Sequence, residues 1–367
     1  IYLTGNPQIT FFKVVYRRHT NFSMESIEQT INGAVASNGR STITISRNGD
    51  LVGRCYLQST CAGTHVLNSA VTDLSSVELE IGGQRIDKQS GHWMQVWAEL
   101  TENETGRAVG TNFQTMSGYG AAVANNTANA ATDAAVGSQC AFVLTDQESA
   151  IQWTPLQFWF CRNPGLALPL IALQYHEVKL IFNFGTVTHS GHKVWCDYIY
   201  LDTDERRRFA QVSHEYLIEQ VQEQAVSAST SSQSEDLNFN HPVKELVWAG
   251  GFSSGALTPF AGAQSETVLL KLNGHDRFSA REARYFSRVQ VYQHHTGEGG
   301  FVDMSVGVYS FALKPEEHQP SGTCNFSRID NAQLTFSAGF ETAGNIYAVN
   351  YNVLRIMSGM GGLAYSN

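Results

Sequence analysis

Short stretches in which apolar and polar residues alternate recur along the whole chain. They are rich in β-branched and aromatic residues and are separated by Gly and Asn, a pattern that predicts strands. The clearest are residues 41–45, 77–81, 176–182, 269–272 and 333–336. Long amphipathic helices are scarce, and the best candidate is residues 214–224, where Tyr216, Leu217 and Val221 can share one face. We therefore expect an all-β protein with few short helices.

Turn signals and a repeated pattern indicate how these strands are organised. Asn-Gly and Gly-Gly tolerate the positive φ angles of a two-residue hairpin, which predicts hairpins at Asn48-Gly49, Gly82-Gly83 and Asn273-Gly274. Residues 77–87 and 268–278 share the order strand, two-residue turn, strand, and aromatic strands at 195–201 and 346–354 close the two halves of the chain. These similarities predict an internal duplication.

Two segments do not fit the strand pattern. Residues 103–139 are rich in Ala, Gly, Asn and Thr, and such an insertion in a β domain is typical of a surface loop. Residues 226–236 hold almost no core-forming side chain and favour a linker. We expect a first unit at 1–212 that carries the insertion at 103–139, a linker with a short helix at 213–236, and a second unit at 237–367.

The composition is short of charge. The 24 Lys and Arg and 33 Asp and Glu make up 16% of the 367 residues, whereas roughly 25% is usual in soluble domains. Much of the polar surface is thus uncharged, or is buried against partners. The net charge of −9 argues against specific nucleic-acid binding. No apolar run approaches the roughly 20 residues of a transmembrane helix.

The motifs that suggest catalysis or metal binding each lack a required part. Six cysteines form no C-x-x-C pair, and His189, His192 and Cys196 have no fourth zinc-type ligand close in sequence. Residues 251–255 match G-x-S-x-G around Ser253, but Pro259 stands where the following helix should begin. We expect free buried thiols, no metal, no cofactor and no enzymatic activity.

Two other classes of function remain open on these grounds. A lectin-like or carbohydrate-active β-sandwich would bind sugars through aromatic residues of exposed loops, which a glycan array would detect. A metal-dependent β-barrel oxygenase would suit the duplication and would contain stoichiometric metal. Its site needs two histidines one residue apart, however, and the 12 histidines include no His-x-His.

A basic and aromatic stretch near the N-terminus is a candidate binding segment. Lys13, Arg17 and Arg18 are interleaved with Phe11 and Phe12, a combination that suits phosphates or acidic protein surfaces and equally the solvated face of a strand. Asn103 and Asn125 begin Asn-x-Thr sequences in the insertion and are possible glycan sites.

The sequence NPQITFFKVVYRRHTNF at residues 6–22 resembles the N-terminal signature of the major capsid proteins of nucleocytoplasmic large DNA viruses, a group that includes chloroviruses, other phycodnaviruses and iridoviruses. The resemblance continues in order through residues 46–51, 80–88, 164–179, 237–242 and 319–330, and ends with residues 351–364. These segments span nearly the whole chain.

The resemblance implies a double jelly roll, which is two tandem eight-stranded antiparallel β-sandwiches. It also implies a homotrimer of pseudo-hexagonal outline that tiles an icosahedral capsid around an internal membrane, assembles in the host-cell cytoplasm, and contacts neighbouring capsomers, minor capsid proteins and penton proteins. The insertion would belong to the outward-facing loops. The N-terminal segment would lie at the inner base, with these assembly candidates: Pro7, Gln8, Phe11, Phe12, Lys13, Arg17 and Arg18.

Overall fold

The computed structural model describes residues 3–61, 70–102, 112–117, 150–253, 256–263, 265–297 and 304–365. Strands dominate, as the alternating pattern predicts. Those of the first half are β1 (Phe22–Gln29), β2 (Ile31–Gly33), β3 (Arg40–Thr44), β4 (Leu51–Cys61), β5 (Leu74–Ile81), β6 (Gln84–Ser90), β7 (Ala150–Pro155), β8 (Leu168–Pro169), β9 (Val178–Phe184) and β10 (Ser190–Leu201). Its helices are α1 (Gly91–Thr101), α2 (Asn112–Ser117), α3 (Trp159–Arg162) and α4 (Thr203–Gln211), with 3-10 turns at Ala70–Asp73 and Pro164–Leu166.

The second half is built in the same way. Its strands are β11 (His214–Val226), β12 (Gln233–Asp236), β13 (Pro242–Ala249), β14 (Phe252–Ser253), β15 (Ala256–Leu257), β16 (Thr267–Leu272), β17 (His275–Asp276), β18 (Arg281–Glu282), β19 (Val306–Ser310), β20 (Cys324–Asn325), β21 (Ala332–Phe336), β22 (Gly344–Met357) and β23 (Met360–Leu363). A π-helical turn at Tyr285–Val289 leads into α5 (Gln290–His294), and a 3-10 turn spans Phe326–Arg328.

Each half is a jelly roll of two facing antiparallel sheets. In the first half the strand orders are β1-β10-β4-β7 and β2-β3-β9-β5-β6, and in the second half they are β11-β22-β13-β19 and β12-β21-β16-β17. The inward side chains of each pair of sheets form a separate apolar core, exemplified by Leu57, Leu79 and Phe182 in the first and by Leu246, Leu270 and Phe336 in the second. The order β1-β10-β4-β7 corresponds to β11-β22-β13-β19, and β3-β9-β5-β6 corresponds to β12-β21-β16-β17, with β2 as an added edge strand in the first half. This correspondence confirms the double jelly roll and the duplication.

Two of the three predicted hairpin turns are confirmed. Gly82 and Gly83 have φ angles of 58° and 84° and join β5 to β6, while Asn273 and Gly274 have φ angles of 50° and 78° and join β16 to β17. The prediction for Asn48-Gly49 is wrong. These residues connect β3 to β4, which belong to different sheets, and Gly49 is a site of close packing where a Cβ would touch Tyr198.

The helix predicted at residues 214–224 is also wrong. This segment is β11, which pairs with β22 from His214 opposite Ile356 to Val226 opposite Gly344. Pairing with β22 outweighed the helical spacing of Tyr216, Leu217 and Val221. The strand is buried on both faces at its centre, where the consecutive residues 218–220 are all buried. The predicted linker at 213–236 is consequently strand, turn and strand, because β12 follows at residues 233–236.

The cysteine and insertion predictions have mixed outcomes. Cys55, Cys161 and Cys196 are buried free thiols, as expected, whereas Cys324 is free but only partly buried. Within the insertion at 103–139 the described residues form α2, whose neighbour is β7, and the remainder lies outside the described residues.

The helix α1 lies between the two jelly rolls and packs against both. Ser90 caps the N-terminus of α1 by accepting a hydrogen bond from the Trp93 backbone N–H at 3.2 Å. One side of α1 contributes Met94 and Ala98 to the first core. The other side packs on the second half through a third apolar cluster: Trp93, Val96, Trp97 and Leu100 with Val247, Ala249, Leu257, Val291, Val306, Val308, Tyr347 and Val349. Burying each large side chain here stabilises the joint by roughly 1.5–3 kcal/mol.

Candidate assembly surfaces

The N-terminal segment, residues 3–21, is an exposed arm that leads into β1. Phe11 and Phe12 have 89% and 99% of their surface in water, and Ile9, Val14, Val15 and Tyr16 are similarly exposed. In the part of the chain that the structure describes, no hydrogen bond joins this arm to the rest of the molecule. The seven predicted assembly residues therefore lie on one continuous arm, and its apolar side chains are largely exposed to water.

Charge distinguishes the arm from the rest of the molecule. Residues 3–21 hold Lys13, Arg17 and Arg18 and no Asp or Glu. The remainder of the chain accordingly has 21 Lys and Arg against 33 Asp and Glu, a formal charge of −12. A basic, apolar arm of this kind suits an acidic protein surface that can cover its aromatic side chains.

The end of the first jelly roll from which the arm emerges exposes further apolar side chains. Phe22 of β1 pairs with Leu201, which leads into α4, and His214 beyond α4 pairs with Ile356. Exposed residues in this region are Met24, Tyr175, Val212, Met357 and Met360. In the same region, the guanidinium of Arg206 of α4 binds Asp50 at 2.9 Å.

A buried charge network fixes the two jelly rolls relative to each other. Arg162 of α3 binds Glu219 of β11 at 2.6 Å, and Lys244 of β13 binds the other oxygen of that carboxylate at 2.8 Å. Burial alone would raise the pKa of Glu219, but Arg162 and Lys244 hold it well below its usual range. Since Arg162 belongs to the first half and Glu219 and Lys244 to the second, sliding one half past the other would separate the buried Glu219 carboxylate from one of its two cationic partners.

Two buried histidines lie near this joint: His92 bonds across it, whereas His295 pairs with carboxylates of its own half. His295 lies between two carboxylates, with Nε2 3.0 Å from Glu245 and Nδ1 3.0 Å from Glu316. Burial alone would lower the pKa of His295, but Glu245 and Glu316 raise it to about 9, so both ring nitrogens donate as an imidazolium. His92 differs, because burial lowers its pKa to about 4 and the neutral ring lies between the Tyr347 hydroxyl and the Gly250 carbonyl.

The sequence analysis missed this network, since its members are scattered along the chain. The one local signal is the pair Lys244-Glu245, which interrupts an otherwise apolar strand and has both side chains fully buried.

The residues considered as metal ligands have structural partners. His189 and His192 approach the Asp73 carboxylate at 3.0 and 3.4 Å, whereas Cys196 lies 3.3 Å from Cys55 in the core. Burial alone would raise the pKa of Asp73, but the two histidines lower it well below its usual range. Among the described residues, no group of three or more His, Cys, Asp or Glu side chains is arranged to hold a metal ion.

The remaining sequence predictions concern the G-x-S-x-G motif, the glycan sites and membrane-spanning helices. Phe252–Ser253 pairs with Ala256–Leu257 as a short β-ribbon, which is not the strand-turn-helix of a nucleophile elbow. The possible glycan sites Asn103 and Asn125 lie outside the described residues. Across the residues with an assigned structure, no helix is both long and apolar enough to span a membrane.

Comparisons with known proteins match along almost the entire chain. A model of the large eukaryotic DNA virus major capsid protein matches residues 205–362, and a model of the major capsid protein N-terminus matches residues 10–191. The chain is 50% identical to the major capsid protein of Pyramimonas orientalis virus, over all of this chain and 96% of that protein. It is 42% identical to the major capsid protein of Paramecium bursaria Chlorella virus 1, over all of this chain and 97% of that protein.

The fold is similar to a solved capsid structure as well. A crystal structure of PBCV-1 VP54, fitted into a cryo-EM reconstruction of the virophage Sputnik, superposes with a TM-score of 0.81 and 38% sequence identity. The superposition covers 98% of this chain and all of that one.

Proposed function

Because the chain belongs to the major capsid protein family of large eukaryotic DNA viruses, we propose that it forms homotrimeric, pseudo-hexagonal capsomers that tile an icosahedral shell. The observation that carries this proposal is the repeat of one sheet order in two jelly rolls. Three copies of a two-unit chain provide six similar wedges, so a trimer with true threefold symmetry can pack in a hexagonal array.

The joint between the jelly rolls supports this role. A subunit can give a fixed hexagonal outline only if its two wedges keep one relative orientation. The apolar contacts of α1 and the pairing of Arg162, Glu219 and Lys244 both supply that constraint. We propose that the boundary between the units lies near residue 212, with β11 as the first strand of the second unit.

The arm at residues 3–21 is proposed as the inner base of the capsomer. Pro7, Gln8, Phe11, Phe12, Lys13, Arg17 and Arg18 would contact minor capsid proteins there, since a basic segment with exposed aromatic residues suits an acidic partner surface. Penton proteins and neighbouring capsomers are the other proposed partners. The internal membrane would lie nearby, and assembly would take place in the host-cell cytoplasm.

We propose that this protein acts by assembly rather than by catalysis. Its matched relatives carry the name of capsid proteins, and the role needs stable cores and repeated contacts between copies. Neither the lectin-like nor the oxygenase alternative is favoured by a specific observation.

Mass photometry and negative-stain imaging of purified protein test the proposal together. The expected species has about three times the mass of one chain and a roughly hexagonal outline in projection. A monomer that persists at micromolar concentration, or a particle without sixfold character, would contradict it.

A further inference from the structure

The contact between the two jelly rolls provides a template for a contact between copies. Within the chain, the outward side of α1 covers the outer face of the sheet β11-β22-β13-β19. Val247, Val308 and Tyr347 form one row across this face, and all three are completely buried. A helix of the first unit thus lies on the outer sheet face of the second unit.

The second unit has a helix in the equivalent position. The π-helical turn Tyr285–Val289 and α5 lie between β17/β18 and β19, just as α1 lies between β6 and β7. We name this element, residues 285–294, the second joint helix. Its inward side contributes Phe286 to the core, whereas Tyr292 on its outward side is 88% exposed. Leu313 lies beside it, 76% exposed, with its carbonyl 3.2 Å from His294 Nδ1.

The first unit has the equivalent receiving face. The strand orders make β4, β7 and β10 the counterparts of β13, β19 and β22. Along β7, Gln152 and Thr154 are completely buried, whereas Ile151 and Trp153 alternate with them on the outer face and are 44% and 39% exposed. Tyr56 and Trp195, which pair with each other, continue this face and are partly buried.

We propose that the second joint helix of one copy packs on the outer face of the sheet β1-β10-β4-β7 of the next copy, with Tyr292 and Leu313 against Trp153 and Ile151. This inference rests on the trimer proposed above and names its interface. Within the described residues, the chain makes one of the two equivalent joints, and the second joint helix and the outer face of β1-β10-β4-β7 are left without each other. A second copy supplies the missing element to each, and three copies close the ring.

The chemistry of the two surfaces agrees with a contact between separately folded chains. Their exposed centres are aromatic and aliphatic, which is typical of the side chains that dominate binding energy. The receiving face also carries Gln58 and a Lys193–Glu28 ion pair at 3.1 Å. The receiving face is therefore more polar than the row formed by Val247, Val308 and Tyr347, as expected for a sheet face that is exposed to water before assembly.

Substitutions at exposed positions test this interface without removing core side chains. Tyr292→Glu and Trp153→Glu each place a charge at the proposed contact, and Tyr365→Glu is the matched control because Tyr365 is an exposed tyrosine near the C-terminus. Mass photometry over a dilution series gives the concentration at which half of the trimer dissociates. We expect that concentration to rise at least tenfold for the first two variants and to stay unchanged for the control.

A cross-linking experiment identifies the contact directly. The double variant Tyr292→Cys, Trp153→Cys should form covalent dimers and trimers with a short bis-maleimide reagent. Each single variant should show only its own background level of cross-linked species. Circular dichroism and thermal unfolding establish that every variant is folded.

Each outcome has a distinct meaning. A trimeric wild type with both Glu variants equally trimeric, and no cross-linking above background, would overturn the interface and leave the trimer intact. A wild type that is monomeric throughout the dilution series would overturn the trimer, and the interface with it.

Discussion

Individual charged side chains at the joint show how a capsid subunit can keep one shape. Glu219 and Glu245 lie in the interior, and each has a cationic partner within 3.0 Å. Such pairs add little net stability compared with apolar side chains, but breaking one costs several kcal/mol. The pair that crosses between the jelly rolls is Arg162 with Glu219, so this contact is the one that depends on their relative arrangement.

His295 makes the stability of the second jelly roll sensitive to alkaline pH. Its pKa of about 9 in the folded chain lies above the unfolded value of 6.5, so the stabilisation is complete below pH 6.5 and is lost as the pH rises to 9. We expect this pairing to contribute roughly 3 kcal/mol at neutral pH and below. Urea unfolding from pH 6 to 9 should show this decline in wild type and a flatter profile in His295→Gln.

A neighbouring histidine supplies the control for that measurement. His294 Nδ1 lies 3.2 Å from the Leu313 carbonyl, and within the described part of the chain His294 has no carboxylate partner, so His294→Gln should keep the wild-type pH profile. An equally steep decline in His295→Gln would mean that another group titrates in this range.

At the scale of elements, the sequence predicted strands well where one face of the strand is buried and the other is more accessible to solvent. The segments at β3, β5, β9, β16 and β21 have this character, and all five were recognised. Failures occurred where tertiary context decided the outcome. Asn48-Gly49 has residue types that favour a hairpin turn, but the chain there crosses between facing sheets. Residues 214–224 have helical spacing, but they form a strand because β22 pairs with them along their whole length.

The candidate site was predictable only in its local part. The arm can be recognised in the sequence because its aromatic and basic residues lie close together between Phe11 and Arg18. The joint cannot be recognised in the sequence, because Arg162, Glu219 and His295 come from distant segments that only the fold brings together.

The two turn glycines of the β5–β6 hairpin allow a matched prediction. Both have positive φ, but a Cβ at Gly83 would meet open space, whereas one at Gly82 would overlap the ring of His176. His176 Nδ1 lies 3.0 Å from the Gly361 carbonyl, so displacing the ring also disturbs β23. We expect Gly83→Ala to lower the free energy of unfolding by about 1 kcal/mol and Gly82→Ala by about 3 kcal/mol.

Urea denaturation of both variants measures this difference. Equal losses at the two positions would mean that the turn conformation alone sets the cost and that the His176 contact contributes nothing.

At the scale of the whole molecule, the chain combines two regions of opposite character. Its jelly rolls bury their apolar residues in three clusters and carry an excess of acidic groups. Its arm carries three positive charges and exposes its apolar residues to water. A low overall content of charge therefore conceals a separation of charge between the arm and the jelly rolls. The surfaces proposed above for partners, the arm and the aromatic faces near Trp153 and Tyr292, are those that expose apolar side chains.

Removing the arm should separate folding from assembly. Since residues 3–21 make no hydrogen bond to the described body and expose their aromatic side chains, deleting residues 1–20 should change the free energy of unfolding by less than about 0.5 kcal/mol. The same deletion should abolish retention on immobilised poly-glutamate, which stands in for an acidic protein surface. Replacing Lys13, Arg17 and Arg18 by Gln should weaken that retention and reduce its dependence on salt, because screening acts on those charges. A truncated chain with a clearly lower melting temperature would show instead that the arm packs on its own jelly rolls, and it would remove the argument for a partner at this end.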